Sequence, residues 1–249
     1  MTLLDYPGRV ACTVFLSGCN FRCPFCHNSE LLDVNTPGIM DDAALLKFLE
    51  GRKGILEGVA FTGGEPLMRK GLPELLAKIK ALGYPIKLDT NGAFPEALKE
   101  VVNAGLVDYV AMDVKNSPDR YAETCGLDDM GPLMAKIEES KDFLISSGVD
   151  YEFRTTTVAQ LHDADSFAAI GPWIRGAKRY FLQVFTDRDT VPFAGLTAPS
   201  SEQLHAYADL VRPYVNDVQI RGGEEEDRRR SWQDNRSPAG NCWHSSPNA

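Results

Sequence analysis

Short apolar runs rich in β-branched residues alternate with amphipathic stretches along most of this chain. Seven runs have the length and composition of strands, at 9–17, 58–63, 85–90, 107–114, 149–158, 179–185 and 215–221. Helical periodicity predicts helices between them, at 41–51, 72–83, 95–105, 133–148 and 201–214. Glycines just past the last apolar position, at Gly83, Gly105 and Gly148, are typical helix stops. Strands that alternate with helices form right-handed βαβ units around a parallel sheet. Six units and a final strand predict an α/β fold, an incomplete parallel (β/α)6 barrel rather than a closed eight-stranded one.

The composition changes after Arg221. Residues 222–249 mix charge blocks with Gly, Ser, Pro and Asn and lack apolar periodicity. Such composition is typical of disordered segments, because it cannot bury enough apolar surface to offset chain entropy. We therefore predict one domain over 1–221 and a disordered C-terminal tail over 222–249.

Charge and targeting signals limit the possible partners and location. A net charge of −9 over 249 residues argues against nucleic-acid binding, which needs a basic surface. The N-terminal residues show no signal-peptide pattern, and no apolar run reaches the roughly 18 residues of a membrane span. We expect a cytoplasmic protein, where clustered cysteines more often bind metal or do redox chemistry than form disulfides.

Three of the six cysteines lie close together in "SGCNFRCPFCHNSE", residues 17–30. This segment is polar and follows a predicted strand, so packing in the core explains Cys19, Cys23 and Cys26 poorly. A zinc site would need a fourth ligand, and His27 is so close to Cys26 that both rarely reach one ion. "CPFCH" also matches a haem-attachment pattern, but that chemistry belongs to exported proteins. An iron–sulfur cluster with three thiolates would leave one iron open for a substrate.

The spacing Cys19-x3-Cys23-x2-Cys26 resembles the hallmark of the radical S-adenosylmethionine (SAM) superfamily, including the aromatic Phe25 before the last cysteine. The resemblance implies a [4Fe–4S] cluster on these three cysteines and S-adenosylmethionine on the open iron. It also implies reductive cleavage of the cofactor to a 5′-deoxyadenosyl radical, which abstracts a hydrogen atom.

Further motifs follow the next three predicted strands. "AFTGGEPLM" (60–68) could be a tight strand-to-helix turn, or a site where a ligand approaches exposed backbone N–H groups. "KLDTNG" (87–92) could be an Asx-type turn, and "MDVK" (112–115) an ion pair on the barrel rim. The family resemblance instead implies that these motifs contact the methionine and ribose groups of the cofactor. On that basis the predicted cofactor-binding residues are Phe25, Gly63, Gly64, Glu65, Asp89, Thr90, Asn91, Asp113 and Lys115. The strand pattern does not determine whether the side chains of Arg154 and Gln183 point into the barrel.

The remaining cysteines and histidines lack ligand spacing. We expect buried thiols at Cys12 and Cys125, and an exposed one at Cys242 in the tail. We expect surface positions for His162 and His205. For His27, a hydrogen bond close to the cluster is expected.

Residues 3–28 resemble the activating proteins of anaerobic ribonucleoside-triphosphate reductases. The resemblance implies that the chain generates a glycyl radical on a partner enzyme, with flavodoxin or ferredoxin as electron donor. Between Cys26 and Gly63 there is no cysteine, so there is no insert for auxiliary clusters. Activation of another glycyl radical enzyme such as pyruvate formate-lyase, a small-molecule substrate, and a non-catalytic iron–sulfur or zinc protein stay as alternatives.

Overall fold

A computed structural model describes Thr2 and residues 5 to 222, and these residues form a single parallel sheet surrounded by helices. All seven predicted strands are present, each within two residues of its expected ends. They are β1 (Ala11–Leu16), β2 (Gly58–Gly63), β3 (Ile86–Thr90), β4 (Tyr109–Asp113), β5 (Asp150–Thr157), β6 (Arg179–Val184) and β7 (Asp217–Arg221). The predicted tail, with Cys242, lies outside the described residues, so the boundary after residue 221 stays a prediction.

The strands follow one another in sequence order, and every neighbouring pair is parallel. Within the described residues β1 pairs with β2 and β7 with β6, but the two end strands do not pair with each other. The sheet is therefore an unclosed barrel, as the alternation of strands and helices predicted. All the carboxyl ends of its strands lie at the same edge, where ligand sites of parallel sheets form.

In the described part of the chain, seven α-helices connect and cover the strands. They are α1 (Asp42–Glu50), α2 (Leu72–Ala81), α3 (Pro95–Asn103), α4 (Tyr121–Cys125), α5 (Leu133–Ser146), α6 (Ala164–Trp173) and α7 (Ser201–Val211). The three predicted stop glycines are left-handed, with φ of 94°, 67° and 79° at Gly83, Gly105 and Gly148. The short α4 and the longer α6 were not among the predicted helices. In α6 the residues Gly171 and Pro172 weaken the helical pattern, although a capping box between Asp163 and Ser166 starts the helix.

The main core lies between the outer face of the sheet and the helices. Val59, Phe61, Leu88 and Val110 are fully buried there, against helix residues such as Leu76. Burying each such aliphatic side chain contributes about 1.5–3 kcal/mol, which drives the helices onto the strands.

Alternate strand residues point into the barrel, and their side chains change from apolar to polar towards the carboxyl ends of the strands. On β4, Tyr109 and Ala111 belong to a small apolar cluster with Tyr6 and Ala11. Asp113, two residues further on, lines a polar cavity at the carboxyl edge. The buried carboxylate of Glu152 separates these regions, and it accepts from Tyr109 Oη at 2.6 Å and from Arg221 at 2.9 and 3.1 Å. The barrel interior is thus apolar at one end and polar at the other.

No helix in the described part of the chain is both long enough and apolar enough to cross a bilayer.

The junction of β1 and β2 generates a stability prediction. A Cβ atom on Gly64 would lie 2.2 Å from the carbonyl oxygen of Gly18, so Gly64→Ala must force the two strand ends apart. We expect a loss of about 1–3 kcal/mol in the free energy of unfolding, measured by chemical denaturation. Gly51→Ala is the matched control, because Gly51 has φ of −72° and its nearest atoms would lie 3.6 Å from the new Cβ. Equal losses in the two variants would contradict the close approach.

Candidate active site

The carboxyl ends of the strands surround a cavity of about 230 Å³. Every predicted site residue except Glu65 lines it: Cys19, Cys23, Phe25, Cys26, Gly63, Gly64, Asp89, Thr90, Asn91, Asp113 and Lys115. Arg154 and Gln183, whose direction the sequence left open, also line it, as do Phe21, His27, Asn28, Leu32, Thr62 and Thr156. Residues that are far apart in sequence therefore meet in one place.

The cysteine-bearing loop is held by backbone bonds to distant segments. Gly18 N donates to Leu31 O at 2.8 Å, which closes the loop on itself. Arg22 N donates to the carbonyl of Cys125 at 2.8 Å, and Phe193 N donates to Pro24 O at 3.3 Å. These contacts tie the loop to α4 and to the segment after β6, so the cysteines are positioned by the fold.

His27 anchors the same loop. Its ring stacks on Phe185, with centroids 5.5 Å apart, and its Nε2 donates to Thr186 O at 2.7 Å. Its carbonyl accepts from Thr190 Oγ1 at 2.8 Å. The expected hydrogen bond of His27 is present, but its partner is the segment after β6.

Cys125 is fully buried as predicted, but its position next to Cys23 was not foreseen. A hydrogen bond from the Cys125 thiol lowers the pKa of Cys23 to about 7, and burial raises the pKa of Cys125 well above its usual value. The following residue, Gly126, is left-handed and packs on the cysteine loop, because a Cβ there would lie 2.1 Å from Arg22 O. No spacing rule links Cys125 to the other cysteines, so only the fold reveals this contact.

The other two thiols of the cavity favour the protonated form. Burial raises the pKa of Cys19 to about 11 and also raises the pKa of Cys26. Because thiolates are the metal-binding form, metal binding here would release protons. Among the described residues, no group of three or more His, Cys, Asp or Glu side chains is arranged to hold a single metal ion.

A chain of alternating charges crosses the cavity. Asp113 accepts from Arg154 Nε at 2.6 Å and from Lys115 Nζ at 2.7 Å. Arg154 also contacts Asp89 at 3.1 Å, and Asp89 accepts from Lys87. Burial alone would raise the pKa of Asp113, but the charges of Arg154 and Lys115 lower it well below its usual range. The ion pair that the sequence offered as an alternative at the barrel rim is therefore present, and it extends over β3, β4 and β5.

Glu65 does not line the cavity, and its contact with the cofactor stays a prediction. Its carboxylate is 1% exposed and accepts from Leu67 N at 3.0 Å, Thr90 Oγ1 at 2.9 Å and Asn91 N at 2.6 Å. Burial raises its pKa to about 7, whereas these three donors favour the ionised form. Glu65 therefore joins the ends of β2 and β3 from behind the cavity wall.

The two glycines before Glu65 also serve the strand junction. Gly64 N donates to Leu16 O at 2.8 Å, and Glu65 N donates to Gly18 O at 2.7 Å. The expectation that the glycines of this motif expose free N–H groups to a ligand is wrong at Gly64, because its N–H donates to the last residue of β1.

Turn geometry after β3 agrees with the Asx-type prediction. Asn91 Oδ1 accepts from Ala93 N at 3.0 Å, Thr90 Oγ1 accepts from Gly92 N at 3.1 Å, and Gly92 has φ of 78°. The turn directs Asn91 Nδ2 toward Asn20 Oδ1, 2.8 Å away. Sequence reasoning did not single out Asn20.

The expectation of a surface position for His162 is wrong. This residue is 2% exposed, and its Nε2 donates to the carbonyl of Lys115 at 2.8 Å while its Nδ1 accepts from Val158 N at 3.1 Å. Burial lowers its pKa, which matches this neutral form. It thereby fixes the backbone of Lys115, whose ammonium lies 5.9 Å from the Phe25 ring centroid. His205 is exposed as predicted, and Cys12 is only half-buried.

Comparison with known proteins identifies the family. The sequence model of the radical SAM superfamily matches residues 13–149 of this chain. These residues include the three clustered cysteines and the motifs after β2, β3 and β4. A protein of Methanocaldococcus jannaschii, named as a candidate glycyl-radical enzyme activating enzyme, is 30% identical over 227 residues, which are 89% of this chain and 92% of that protein.

Other similarities cover only about half of the matched protein. The GTP 3′,8-cyclase of Helicobacter pylori is 33% identical over 161 residues, 58% of this chain but 46% of the cyclase. The crystal structure of Streptococcus suis SuiB bound to S-adenosylmethionine superposes with a TM-score of 0.67 at 11% identity, over 84% of this chain and 50% of SuiB. The structural similarity shows the shared fold. The chain belongs to the radical SAM superfamily, whose members use a [4Fe–4S] cluster and S-adenosylmethionine.

Proposed function

We propose that this radical SAM enzyme is an activase that generates a glycyl radical on a partner enzyme. The observation that carries the proposal is the 30% identity to the candidate activating enzyme of Methanocaldococcus jannaschii, which extends over nearly the whole of both chains. The resemblance of residues 3–28 to reductase-activating proteins makes anaerobic ribonucleoside-triphosphate reductase the first partner to test. Reduced flavodoxin or ferredoxin would supply the electron, and a cytoplasmic location stays a prediction.

Cys19, Cys23 and Cys26 are the proposed ligands of the cluster. The donor set fits, because three thiols line one cavity and soft thiolates are the ligands that iron–sulfur clusters take. The loop that bears them is held to α4 and to the segment after β6 by the fold. When bound, the reduced cluster and S-adenosylmethionine supply a radical that abstracts a hydrogen atom.

The charged chain across the cavity is the proposed recognition site for the polar groups of the cofactor. It contains three cations, Lys87, Arg154 and Lys115, but only two carboxylates, Asp89 and Asp113. The excess positive charge favours a carboxylate ligand close to Lys115 or Arg154. Asp89 and Asp113 stay ionised and can accept from hydroxyl or ammonium groups. Phe25, with Thr90 and Asn91, completes the wall of the cavity.

The open side of the barrel supports a protein substrate. Among the described residues β1 and β7 do not pair, so the sheet is not closed between them. A loop of a partner could reach the cavity from this side. The match to GTP 3′,8-cyclase supports a small-molecule substrate instead, but this match includes less than half of the cyclase. A test with candidate partner enzymes and with GTP distinguishes a protein substrate from a small molecule.

Substitution of the cysteines tests the ligand assignment. Cys19→Ser, Cys23→Ser or Cys26→Ser should each abolish or sharply reduce iron after anaerobic reconstitution, where the unchanged protein should hold about four irons. Cys12→Ser is the matched control, because Cys12 lies on β1 outside the cavity. Cys125→Ala should also keep the iron, since its thiol is a neighbour of Cys23 and not a proposed ligand. Iron loss in either control would change the ligand set.

The partner assignment predicts an electron paramagnetic resonance (EPR) signal. The reconstituted protein, mixed anaerobically with S-adenosylmethionine, dithionite and the anaerobic ribonucleotide reductase of the same organism, should produce a glycyl-radical doublet and about one 5′-deoxyadenosine per radical. Cys23→Ser should produce neither. A doublet only with pyruvate formate-lyase would transfer the role to that partner. Conversion of GTP with no radical on either enzyme would favour the small-molecule alternative.

The position of Glu65 predicts an effect on stability as well as on binding. The Glu65 carboxylate accepts hydrogen bonds from Leu67 N, Thr90 Oγ1 and Asn91 N. In Glu65→Gln an NH₂ group replaces one carboxylate oxygen, so at least one of these buried donors loses its acceptor. We expect a loss of about 1–3 kcal/mol in unfolding free energy even without S-adenosylmethionine, together with weaker cofactor binding. Denaturation and a cofactor titration followed by the cluster absorbance measure the two effects. Weaker binding with unchanged stability would instead support direct contact between Glu65 and the ligand.

A further inference from the structure

We propose that the side-chain amides of Asn20 and Asn91 donate hydrogen bonds to sulfur at the Cys19 corner of the cluster, and that Asn20 thereby raises the cluster's reduction potential. The inference rests on the proposed assignment of Cys19 as a cluster ligand. It gives a role to Asn20, which is not one of the predicted site residues.

The orientation of both amides is fixed by their partners. Asn91 Oδ1 accepts from Ala93 N at 3.0 Å, so the other end of this amide must be Nδ2. Asn91 Nδ2 lies 2.8 Å from Asn20 Oδ1 and 3.9 Å from Cys19 Sγ. Because the Asn20 oxygen accepts from Asn91, the free end of Asn20 must be its NH₂ group. A flip of either amide would place two donors or two acceptors face to face.

The NH₂ group of Asn20 is a buried donor without an acceptor. Its Nδ2 atom is the one buried side-chain polar atom that has no hydrogen-bond partner in the described part of the chain. Leaving such a donor unsatisfied costs about 1–3 kcal/mol, so its position indicates an acceptor that the protein itself does not provide. Asn20 directly follows Cys19, a proposed ligand, so a sulfur of the cluster is the acceptor that this site would bring.

Cys19 already attracts N–H donors. Phe21 N lies 3.4 Å from its sulfur, and the Asn91 amide is the second group aimed at it. Hydrogen bonds to cluster sulfurs stabilise the reduced state, because reduction adds negative charge to the acceptors. The amide pair should therefore make the cluster easier to reduce by one electron.

Asn91 is itself held in place from behind. Its backbone N–H donates to the buried carboxylate of Glu65 at 2.6 Å, and the same carboxylate accepts from Thr90 Oγ1. The carboxylate of the glycine–glutamate motif is thus linked to Cys19 through Asn91. Glu65 is the positioning residue in this scheme, because it acts through Asn91.

The test is the midpoint potential of the reconstituted full-length protein, measured by dithionite titration and EPR without S-adenosylmethionine. Asn20→Leu has similar volume but no donor, and we expect about four irons per chain with a more negative potential. The ratio of reduced to oxidised cluster at a fixed potential should fall about tenfold, which is about 59 mV for one electron. Asn20→Ser, which restores a small donor, should recover part of the shift.

Asn116→Leu is the matched control for loss of a buried amide. Asn116 is fully buried, but its Nδ2 donates to Thr124 Oγ1 at 2.8 Å and to Leu161 O at 2.9 Å, so it has no donor left for a cluster. We expect this variant to lose stability and to keep the potential. An unchanged potential in Asn20→Leu with full iron content, or an equal shift in Asn116→Leu, would overturn the proposal.

A second measurement detects the proposed hydrogen bond directly, first in the unchanged protein and then in the two variants. Electron–nuclear double resonance of the reduced cluster, before and after exchange into D₂O, should show exchangeable protons close to the cluster. Asn20→Leu should lose one such coupling and Asn116→Leu none; identical spectra in all three proteins would refute the hydrogen bond. Full iron content in Cys19→Ser would contradict the assignment of Cys19 as a ligand. The iron content thus tests that assignment separately from the hydrogen bond of Asn20, which the potentials test.

Discussion

The interior of the barrel depends on the pairing of buried charges. Lys87, Asp89, Asp113, Lys115 and Arg154 lie on or just after three adjacent strands, and each is buried or partly buried. An isolated charge in such a place would be costly, so each must face one of opposite sign. Arg154 contacts both aspartates and therefore fixes the relative positions of β3, β4 and β5 at their carboxyl ends. A single chain of ion pairs both orders the strand ends and forms one wall of the cavity.

Opposite this wall, the cysteine loop obtains its shape from segments far away in sequence. The carbonyl of Cys125 at the end of α4 and the segment after β6 bind the backbone of the loop on two sides. The proposed cluster on three thiolates would benefit from such support, because less chain entropy is lost when the metal binds. His162 gives similar support to Lys115, since it holds the backbone carbonyl of that residue.

The glycine–glutamate motif works mainly through the backbone and a buried carboxylate. Gly64 allows β2 to approach β1 closely, and Glu65 accepts hydrogen bonds from the end of β3. The same carboxylate positions Asn91, which reaches Asn20 and the sulfur of Cys19. In the structure this motif links the ends of three strands to Asn91 and the proposed cluster, and its contact with the cofactor stays a prediction.

The sequence by itself determined the order and direction of the strands, five of the helices and the three clustered cysteines, because these follow from local periodicity, turn chemistry and spacing. It also placed Asp113 and Lys115 on the same side, since alternate residues of a strand share a face. Only the tertiary structure decided that Glu65 is turned away from the cavity, that His162 and Cys125 support the site, and that Asn20 has a donor to spare. Each of these depends on contacts between segments distant in the chain, and no local pattern encodes which distant group will meet a given side chain.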